Sequence, residues 1–442
     1  MERREGRHQA RPPRAALVAG HHRRPPGGRE PVSTPTTSPA RSWLARGIDR
    51  VTGSSFGRYQ TAVIRIGLSF TWLCFLLREW PNRHEMYGPG GPWSWDMARR
   101  LIADNHSFTA LMWSDSDAWF ETVYVFGIVT SVLLMLGWRT RTMSVLSMLG
   151  VLSLQNRSVF LGDGGDNVIH LMALYTVLTR CGAVWSLDAR RAKAREKGGA
   201  ADPDVTGIVL WTLCGLGLVL ATVYGRTGMS WTADGPLPGL GWATALWGLW
   251  LVHGLWWAVR RHAPGEPRAV LDALTHLLHN AALLVIMVEV CLIYATAGWY
   301  KIQGSRWQDG TALYYPLHLD YFSPWPELSH ALAGNGIVVL LLSYGTVAVQ
   351  VAFPFTLLNR RVKNVLLALM MAEHLGIAVT LGLPFFSLAM IVADAVFLPT
   401  SFLRRLGALV GRAGGRLLPA RAKPEAVPPQ REGEAGSRAL VG

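Results

Sequence analysis

Lys301 is the residue whose type and setting point most directly to chemistry. The chain carries 43 Lys+Arg, of which only five are lysines, and Lys301 closes a long apolar run beside Trp299 and Tyr300. A desolvated lysine can lose its proton and act as a base, whereas arginine stays protonated. We therefore predict Lys301 to be a general base or a Schiff-base lysine. The alternative is an anchor whose amine snorkels to a membrane interface.

Two further side chains belong to the same apolar run. Tyr294 precedes Lys301 by seven residues, so both lie on one helical face, with Gly298 between them leaving room for close approach. Glu289 lies in mid-run, where an acid needs a partner or a wet cavity. Its partner should come from another helix. We predict Tyr294 and Glu289 to be substrate-binding residues.

Polar residues in two connecting segments add to this candidate site. Trp307 and Asp309 lie in a polar, aromatic segment, 303–316, that is too polar to cross a membrane and is predicted to form a lid. Asp166 and Asn167 end a glycine-rich turn, where capping the next helix is the alternative role. We predict Asp166 to be catalytic, with Asn167, Asp309 and Trp307 in substrate binding. Asp166, Asn167 and Asp309 would orient Lys301 or balance its charge.

Several other ionisable residues lie within apolar runs, and for most of them a structural role is the expected one. His374 is predicted to bind substrate, and Glu373 precedes it. Arg65, near the start of the first run, could snorkel to the headgroups. The remaining histidines are read as hydrogen-bonded bundle residues or as interfacial ones; they are His170, His253, His276 and His279.

The elements that must position these residues are long apolar runs. About 20 apolar residues are needed to cross a bilayer as a helix. Such runs occupy 61–79, 119–138, 142–156, 167–185, 205–225, 238–259, 273–300, 336–358, 364–382 and 385–400. They predict an all-α polytopic membrane helix bundle with about ten transmembrane helices, eight to ten in all.

The distribution of charge predicts the topology. The net charge is +14, but the basic residues concentrate in the tails and in alternate connections. By the positive-inside rule both termini are predicted to be cytoplasmic, in a multi-pass protein of the plasma membrane. The predicted organisation is a disordered basic arm over 1–58, a transmembrane domain over 59–401 and a disordered basic tail over 402–442. Nucleic acid is not an expected partner, because the charge reports topology.

Soluble enzyme classes and metal sites find no support in the motifs. The four cysteines lie far apart within apolar runs, and no pair has a metal-binding or redox spacing. No phosphate-binding glycine loop and no nucleophile elbow occurs.

Several motifs together resemble the HTTM domain, the membrane domain shared by vitamin K-dependent gamma-carboxylases and bacterial relatives that include sporulation-delaying toxin maturation proteins. The most specific segments are Ala297-Gly298-Trp299-Tyr300-Lys301-Ile302 and Trp307-Gln308-Asp309-Gly310-Thr311-Ala312-Leu313. Further matches are Gly164-Gly165-Asp166, Trp185-Ser186-Leu187-Asp188 and His374-Leu375-Gly376. The resemblance covers roughly 55–400.

The resemblance implies a function for Lys301. In the carboxylases the matching lysine is taken to deprotonate vitamin K hydroquinone. It therefore implies a carboxylase-like lyase or oxygenase acting on a reduced quinone or another lipophilic substrate at the outer membrane face. The second hypothesis is a non-catalytic partner in the maturation, export or immunity of a secreted peptide. The lipid bilayer is the expected partner under both hypotheses.

Overall fold

Helices account for the secondary structure throughout the described chain. The structure, a computed structural model, describes residues 39–158, 160–197, 204–227 and 241–417, and no strand occurs among them. The predicted all-α class is therefore confirmed. The chain divides into two units, 1–47 and 48–442. Of the first unit, only residues 39–47 at the start of a helix are described.

The described residues form seventeen α-helices. They are α1 Pro39–Gly53, α2 Arg58–Arg78, α3 Arg83–Tyr87, α4 Trp95–Asn105, α5 Asp117–Leu136, α6 Thr140–Gln155, α7 Gly164–Leu178, α8 Leu187–Glu196, α9 Val205–Val223, α10 Trp242–His262, α11 Glu266–Gln303, α12 Ser305–Gln308, α13 Pro326–Ala333, α14 Gly336–Ala352, α15 Arg360–Thr380, α16 Pro384–Asp394 and α17 Thr400–Leu417. Short 3-10 turns join several of them.

Six helical segments in the described part are long and apolar enough to cross a membrane. They are Trp43–Arg78, Asp117–Leu136, Val205–Val223, Glu266–Gln303, Gly336–Thr356 and Arg360–Thr380. A seventh candidate is the pair Pro384–Phe397 and Thr400–Ala413, which meet at a bend of 118°. The chain thus has the helices of a membrane protein, by length and composition.

The other predicted crossings also fall on helices but do not pass the same test. Helices α6 and α7 have 16 and 15 residues, short of the roughly 20 that a bilayer requires. Helix α10 has 21 residues, yet tryptophans and a basic end lower its hydropathy. The structure therefore supports six or seven membrane-length helices and not the full ten.

Helix α7 occupies the centre of the packing. It contacts α2, α6, α11 and α16, and the main hydrophobic core is built around these contacts. A capping box starts the helix: the Asp163 carboxylate accepts from the Gly165 and Asp166 backbone N–H groups, and the Asp166 side chain accepts from the Asp163 N–H. The cap satisfies orphan donors of the first turn. It also fixes where the glycine-rich turn ends.

Arg65 on α2 is buried, so the snorkelling alternative does not apply to it. The side chain is 0% exposed. Its guanidinium donates to the carbonyls of Leu134 and Met135 at the end of α5 (2.5 and 2.6 Å). It also donates to the carbonyls of Cys181 and Trp185 (3.2 and 2.7 Å). A helix C-terminus attracts a cation and leaves carbonyls unpaired. Arg65 therefore caps α5 from inside the bundle.

Helices α9 and α10 are joined by a reciprocal tryptophan pair. Trp211 and Trp250 stack with ring centroids 4.1 Å apart. Each indole N–H donates to the other residue's backbone carbonyl, at 3.1 and 2.9 Å. Glycine makes the approach possible, since a Cβ at Gly215 would lie 2.6 Å from Trp250 and one at Gly254 would lie 2.8 Å from Trp211.

The predicted disordered arms lie largely outside the described residues. Where they are described, 39–53 and 400–417 are helical. In α17, Leu403 is buried while Arg404 and Arg405 are exposed, so one face packs and the other carries charge. An amphipathic pattern of this kind stabilises a helix when its apolar face finds a surface.

Candidate functional site

The Lys301 side chain takes part in a short hydrogen-bonded chain across three helices. Lys301 lies in the last turn of α11, where the helix dipole favours a cation. Its Nζ donates to Gln350 Oε1 on α14 at 2.8 Å, and Gln350 Nε2 donates to Glu373 Oε1 on α15 at 2.7 Å. The amide of Gln350 thus connects an amine to a carboxylate.

The hydrogen-bonded series of Lys301, Gln350 and Glu373 is partly closed to water. Gln350 is buried, while Lys301 and Glu373 are half-buried. Trp307, in α12, lies with its ring centroid 5.3 Å from Lys301 Nζ, within the range of a cation–π contact. A half-buried amine beside an indole and an amide has few other protein groups to bond. This is a setting in which a lysine can exchange a proton with a bound molecule.

Tyr294 lies two helical turns before Lys301 on the same face of α11 and is at the centre of a second polar cluster. Its hydroxyl lies 3.0 Å from both carboxylate oxygens of Asp394 on α16 and 3.0 Å from His374 Nε2 on α15. All three side chains are at most 2% exposed. The hydroxyl has one hydrogen to donate. Donation to Asp394 then leaves the hydroxyl to accept from His374 Nε2–H.

That assignment leaves one nitrogen of His374 without a partner. In the neutral ring with Nε2 protonated, Nδ1 is an acceptor. His374 Nδ1 is buried and has no hydrogen-bond partner among the described residues. The ring also packs against Phe386, with centroids 5.5 Å apart. The Nδ1 atom of His374 is therefore an unpaired, buried acceptor among the described residues.

Close helix packing brings the two clusters together. A Cβ at Gly298 would lie 2.6 Å from the Val351 side chain, so glycine lets α11 approach α14 just where Lys301 meets Gln350. Asn359 fixes the start of α15 by accepting from the N–H groups of Arg361 and Val362. Consecutive residues on a helix point about 100° apart. Glu373 and His374 are therefore neighbours on α15 that contact different groups: Glu373 bonds Gln350, and His374 bonds Tyr294.

Asp166 does not reach Lys301. It is the third residue of α7, and its side chain belongs to the capping box with Asp163. Removal from water raises the pKa of its carboxyl to about 6. The turn touches the site indirectly, because a Cβ at Gly165 would lie 2.6 Å from the backbone of Phe386, whose ring packs on His374. The alternative capping role is the one that its contacts support.

Three other predicted site residues also lie apart from the Lys301 chain. Asp309 is exposed and bonds the Thr311 backbone N–H at 3.0 Å, with Arg306 nearby at 3.8 Å. Asn167 is exposed at the start of α7. Glu289 is half-buried and makes no ion pair within the described part of the chain. The expectation that Asp166, Asn167 and Asp309 orient or charge-balance Lys301 is therefore not met, since Gln350 and Glu373 occupy that role.

The predicted lid, 303–316, packs against α14. Tyr344 donates its hydroxyl to the Gln308 carbonyl at 2.6 Å, and Ser343 Oγ lies 3.4 Å from the Leu313 N–H. Gly310 turns with φ of +74°, a conformation that glycine adopts without strain. The segment therefore holds Trp307 beside Lys301.

Sequence reasoning missed two members of the site. Gln350 has no charge and lies in an uncharged run, so nothing in the sequence marked it. Asp394 is an acid in the otherwise uncharged run 385–400, which is the signal that could have found it. Glu373 stood out as an ionisable residue but was not assigned to the site.

The fold and the site define an all-helical chain of membrane-protein type with a buried lysine, amide and carboxylate chain. Comparison with known proteins finds no matching family model, no matching curated protein and no matching solved structure. Among the described residues, no group of three or more His, Cys, Asp or Glu side chains could hold a metal ion.

Proposed function

We propose that the chain is a multi-pass protein of the cell membrane with an HTTM-like bundle and both termini in the cytoplasm. Six membrane-length helices and the bent pair after residue 384 support the membrane assignment. About ten crossings follow if α6, α7 and α10 also cross, packed among longer helices. The basic tails and connections support the orientation.

Within this bundle Lys301 acts as a general base on a lipophilic acid, with a reduced quinone as the leading substrate. The observation that carries this is the chain from Lys301 Nζ through Gln350 to Glu373. The neutral amine takes a proton from the substrate hydroxyl and leaves an oxyanion. The resulting ammonium donates to Gln350 Oε1, and the Glu373 carboxylate offsets its charge.

The chemistry requires lysine and not arginine. An arginine in this position would keep its proton and could only bind the oxyanion. The Tyr294, His374 and Asp394 cluster supports the site by tying α11, α15 and α16 together at a buried point.

The test uses the purified full chain and a reduced naphthoquinone. Dissolved O2 is the oxidant in this assay, because it takes two electrons from the deprotonated quinol and the products are the quinone and hydrogen peroxide. We expect saturable, quinol-dependent oxygen consumption that Lys301→Ala and Lys301→Arg both abolish while the protein still inserts and purifies. Lys363→Arg is the matched control, because Lys363 lies on α15 and its partner among the described residues is the Phe397 carbonyl. Full activity in Lys301→Arg would show that only the charge matters and would overturn the base assignment.

A second variant tests the connecting amide. Gln350→Leu removes the acceptor of the ammonium and the donor to Glu373, so turnover should fall at least about tenfold, as one lost charge-assisted hydrogen bond predicts. Leu341→Ala is the control, since Leu341 lies on the same helix and is 64% exposed. Equal loss in both variants would indicate general disruption of α14.

The alternative is a non-catalytic partner of a secreted peptide. Large aromatic side chains near the site are exposed: Tyr300 and Tyr321 are 74% and 86% exposed. Exposed aromatic groups of this kind suit a binding surface. Co-purification separates the two functions: a bound quinone extracted from the pure protein favours the enzyme. No bound quinone and no response to added quinol would favour the peptide partner.

A further inference from the structure

A separate cavity lies between two pairs of helices. Its volume is about 380 Å³, and its walls come from α5 and α6 on one side and from α9 and α10 on the other. This volume falls in the range of small-molecule sites, roughly 300–1,000 Å³. The α9/α10 pair packs on itself and makes few close backbone approaches to α5 and α6. The cavity fills the space between the pairs.

Aromatic contacts link the two helix pairs near both ends of the cavity. At one end the guanidinium of Arg141 on α6 lies 3.7 Å from the ring centroid of Trp256 on α10. At the other end Phe108 packs against Trp242 at the start of α10, with centroids 5.6 Å apart. These contacts join the two helix pairs on either side of the cavity.

The cavity wall is apolar and carries no formal charge. Phe108, Trp113, Trp119, Phe126, Trp211 and Trp250 supply its aromatic surface, and no Lys, Arg, Asp or Glu of the described chain lines it. Burying a charged headgroup without a partner is strongly unfavourable. The wall therefore suits an uncharged, hydrophobic molecule.

Two polar side chains toward the Arg141 end of the wall are free, and at the Phe108 end the indole N–H of Trp113 also makes no hydrogen bond within the described residues. Ser153 and Thr122 use their hydroxyls on the carbonyls of Leu149 and Ala118. In contrast, His253 and Thr142 line the cavity and make no hydrogen bond within the described part of the chain. Thr142 follows Arg141, and His253 is three residues from Trp256. Both free groups therefore lie toward the same end.

We propose that this cavity binds an uncharged lipid whose polar group is a single hydroxyl or carbonyl. The polar group bonds His253 and Thr142, and the hydrophobic part extends toward Phe108. Leu246, also in the wall, is seven residues from His253, which is about 10 Å along α10. Because α5 and α9 are of membrane length, the ligand enters from the lipid phase. The site uses none of the Lys301, Gln350 and Glu373 groups.

Two glycines provide a matched test. A Cβ at Gly217 meets nothing within 4 Å, and Gly217 lines the cavity, so Gly217→Leu fills it without clashing with the wall at Cβ. A Cβ at Gly248 on α10 also meets nothing within 4 Å, but Gly248 does not line the cavity. Both changes place leucine in a helix and should leave folding intact.

The probe is a photoreactive long-chain alcohol added to the full chain in detergent. We expect saturable cross-linking to α5, α6, α9 and α10 peptides, competed by excess unlabelled alcohol. Gly217→Leu should reduce the saturable labelling at least about tenfold, because the leucine occupies the ligand volume, while Gly248→Leu retains it. Labelling that does not saturate, or that is equal in the two variants, would show an annular lipid only and overturn the proposal.

A second comparison tests the polar end. Wild-type protein should bind the alcohol about five- to tenfold more tightly than the matching alkane, the difference expected of one hydrogen bond. His253→Leu should reduce that preference, and His253→Leu combined with Thr142→Val should remove it, without abolishing alkane binding. An unchanged preference would assign the polar contact elsewhere and contradict the proposed orientation. Lys301→Ala should show the same saturable cross-linking and the same preference for the alcohol as the wild type. Such a result would show that the cavity binds its ligand independently of the proposed base.

Discussion

The hydroxyl of Tyr294 lies 3.0 Å from both carboxylate oxygens of Asp394, at a point where neither side chain is more than 1% exposed. A buried acid is strongly disfavoured unless it is hydrogen-bonded. Tyr294 is the hydrogen-bond donor to Asp394 among the described residues, and it comes from another helix. This pair therefore ties α11 to α16 directly beneath the Lys301 chain.

The first prediction concerns this pair. Tyr294→Phe leaves Asp394 buried without its donor and should lower the free energy of unfolding by about 3 kcal/mol, the usual result of orphaning a buried polar group. Adding Asp394→Asn should restore part of the loss, because an amide needs less compensation than a carboxylate. Thermal unfolding in detergent measures both. Tyr344→Phe, at a half-exposed tyrosine, should change stability little, and strict additivity of Tyr294→Phe with Asp394→Asn would argue against direct coupling.

The second prediction concerns the buried guanidinium on α2. Arg65→Met leaves four backbone carbonyls unpaired and should sharply reduce the yield of folded protein, with a loss of about 3–5 kcal/mol in stability. Arg65→Lys keeps the charge but has fewer hydrogen-bond donors, so its stability should lie between that of Arg65→Met and that of the wild type. Arg58, exposed on the same helix, gives the control, since Arg58→Met should be nearly neutral. Wild-type stability in Arg65→Met would mean that α5 needs no cap.

The third prediction concerns pH. Burial raises the pKa of Asp166 from 3.8 to about 6 in the folded chain. The hydrogen bond from the Asp163 backbone N–H and the charge of Arg78 oppose this rise, and the charge of the Asp163 carboxylate adds to it. The folded state therefore binds this proton more tightly than the unfolded state does. Its contribution to stability is full below pH 3.8 and is lost as the pH rises through about 6.

Asp166→Asn should remove this dependence while keeping the acceptor oxygen of the capping box. The melting temperature of the variant relative to wild type should therefore rise between pH 3.8 and about pH 6, the interval between the two pKa values. Asn167→Asp is not a suitable control because it adds a charge, whereas Asn167→Ala at the neighbouring exposed position is. A constant difference between Asp166→Asn and wild type across this interval would contradict the raised pKa.

Periodicity and residue type predicted several site residues correctly in position. Tyr294 and Lys301 were expected on one face, and both turn toward α14, α15 and α16. Gly298 was expected to permit close approach, and it does so against Val351. These predictions succeed because a helix fixes the relative directions of its own side chains.

Predictions about which side chains contact Lys301 were less accurate. Asp166 and Asp309 were expected near Lys301 because both lie in polar connections, yet one caps a helix and the other is exposed beside Arg306. Gln350, which does bond Lys301, is an uncharged residue in an apolar run. Sequence distance and charge carry little information on which residue from another helix will fill a given space.

The sequence by itself determined the helical class, the position of the long apolar segments and the identity of one lysine in a chemically informative place. These follow from local rules: a run of apolar residues, a helical period and the difference between lysine and arginine. Only the tertiary structure decided that Gln350 and Glu373 complete the Lys301 chain and that Asp394 lies under Tyr294. The physical reason is that bonds between helices depend on packing, and a close approach such as that of Gly298 to Val351 selects partners from segments far apart in the chain.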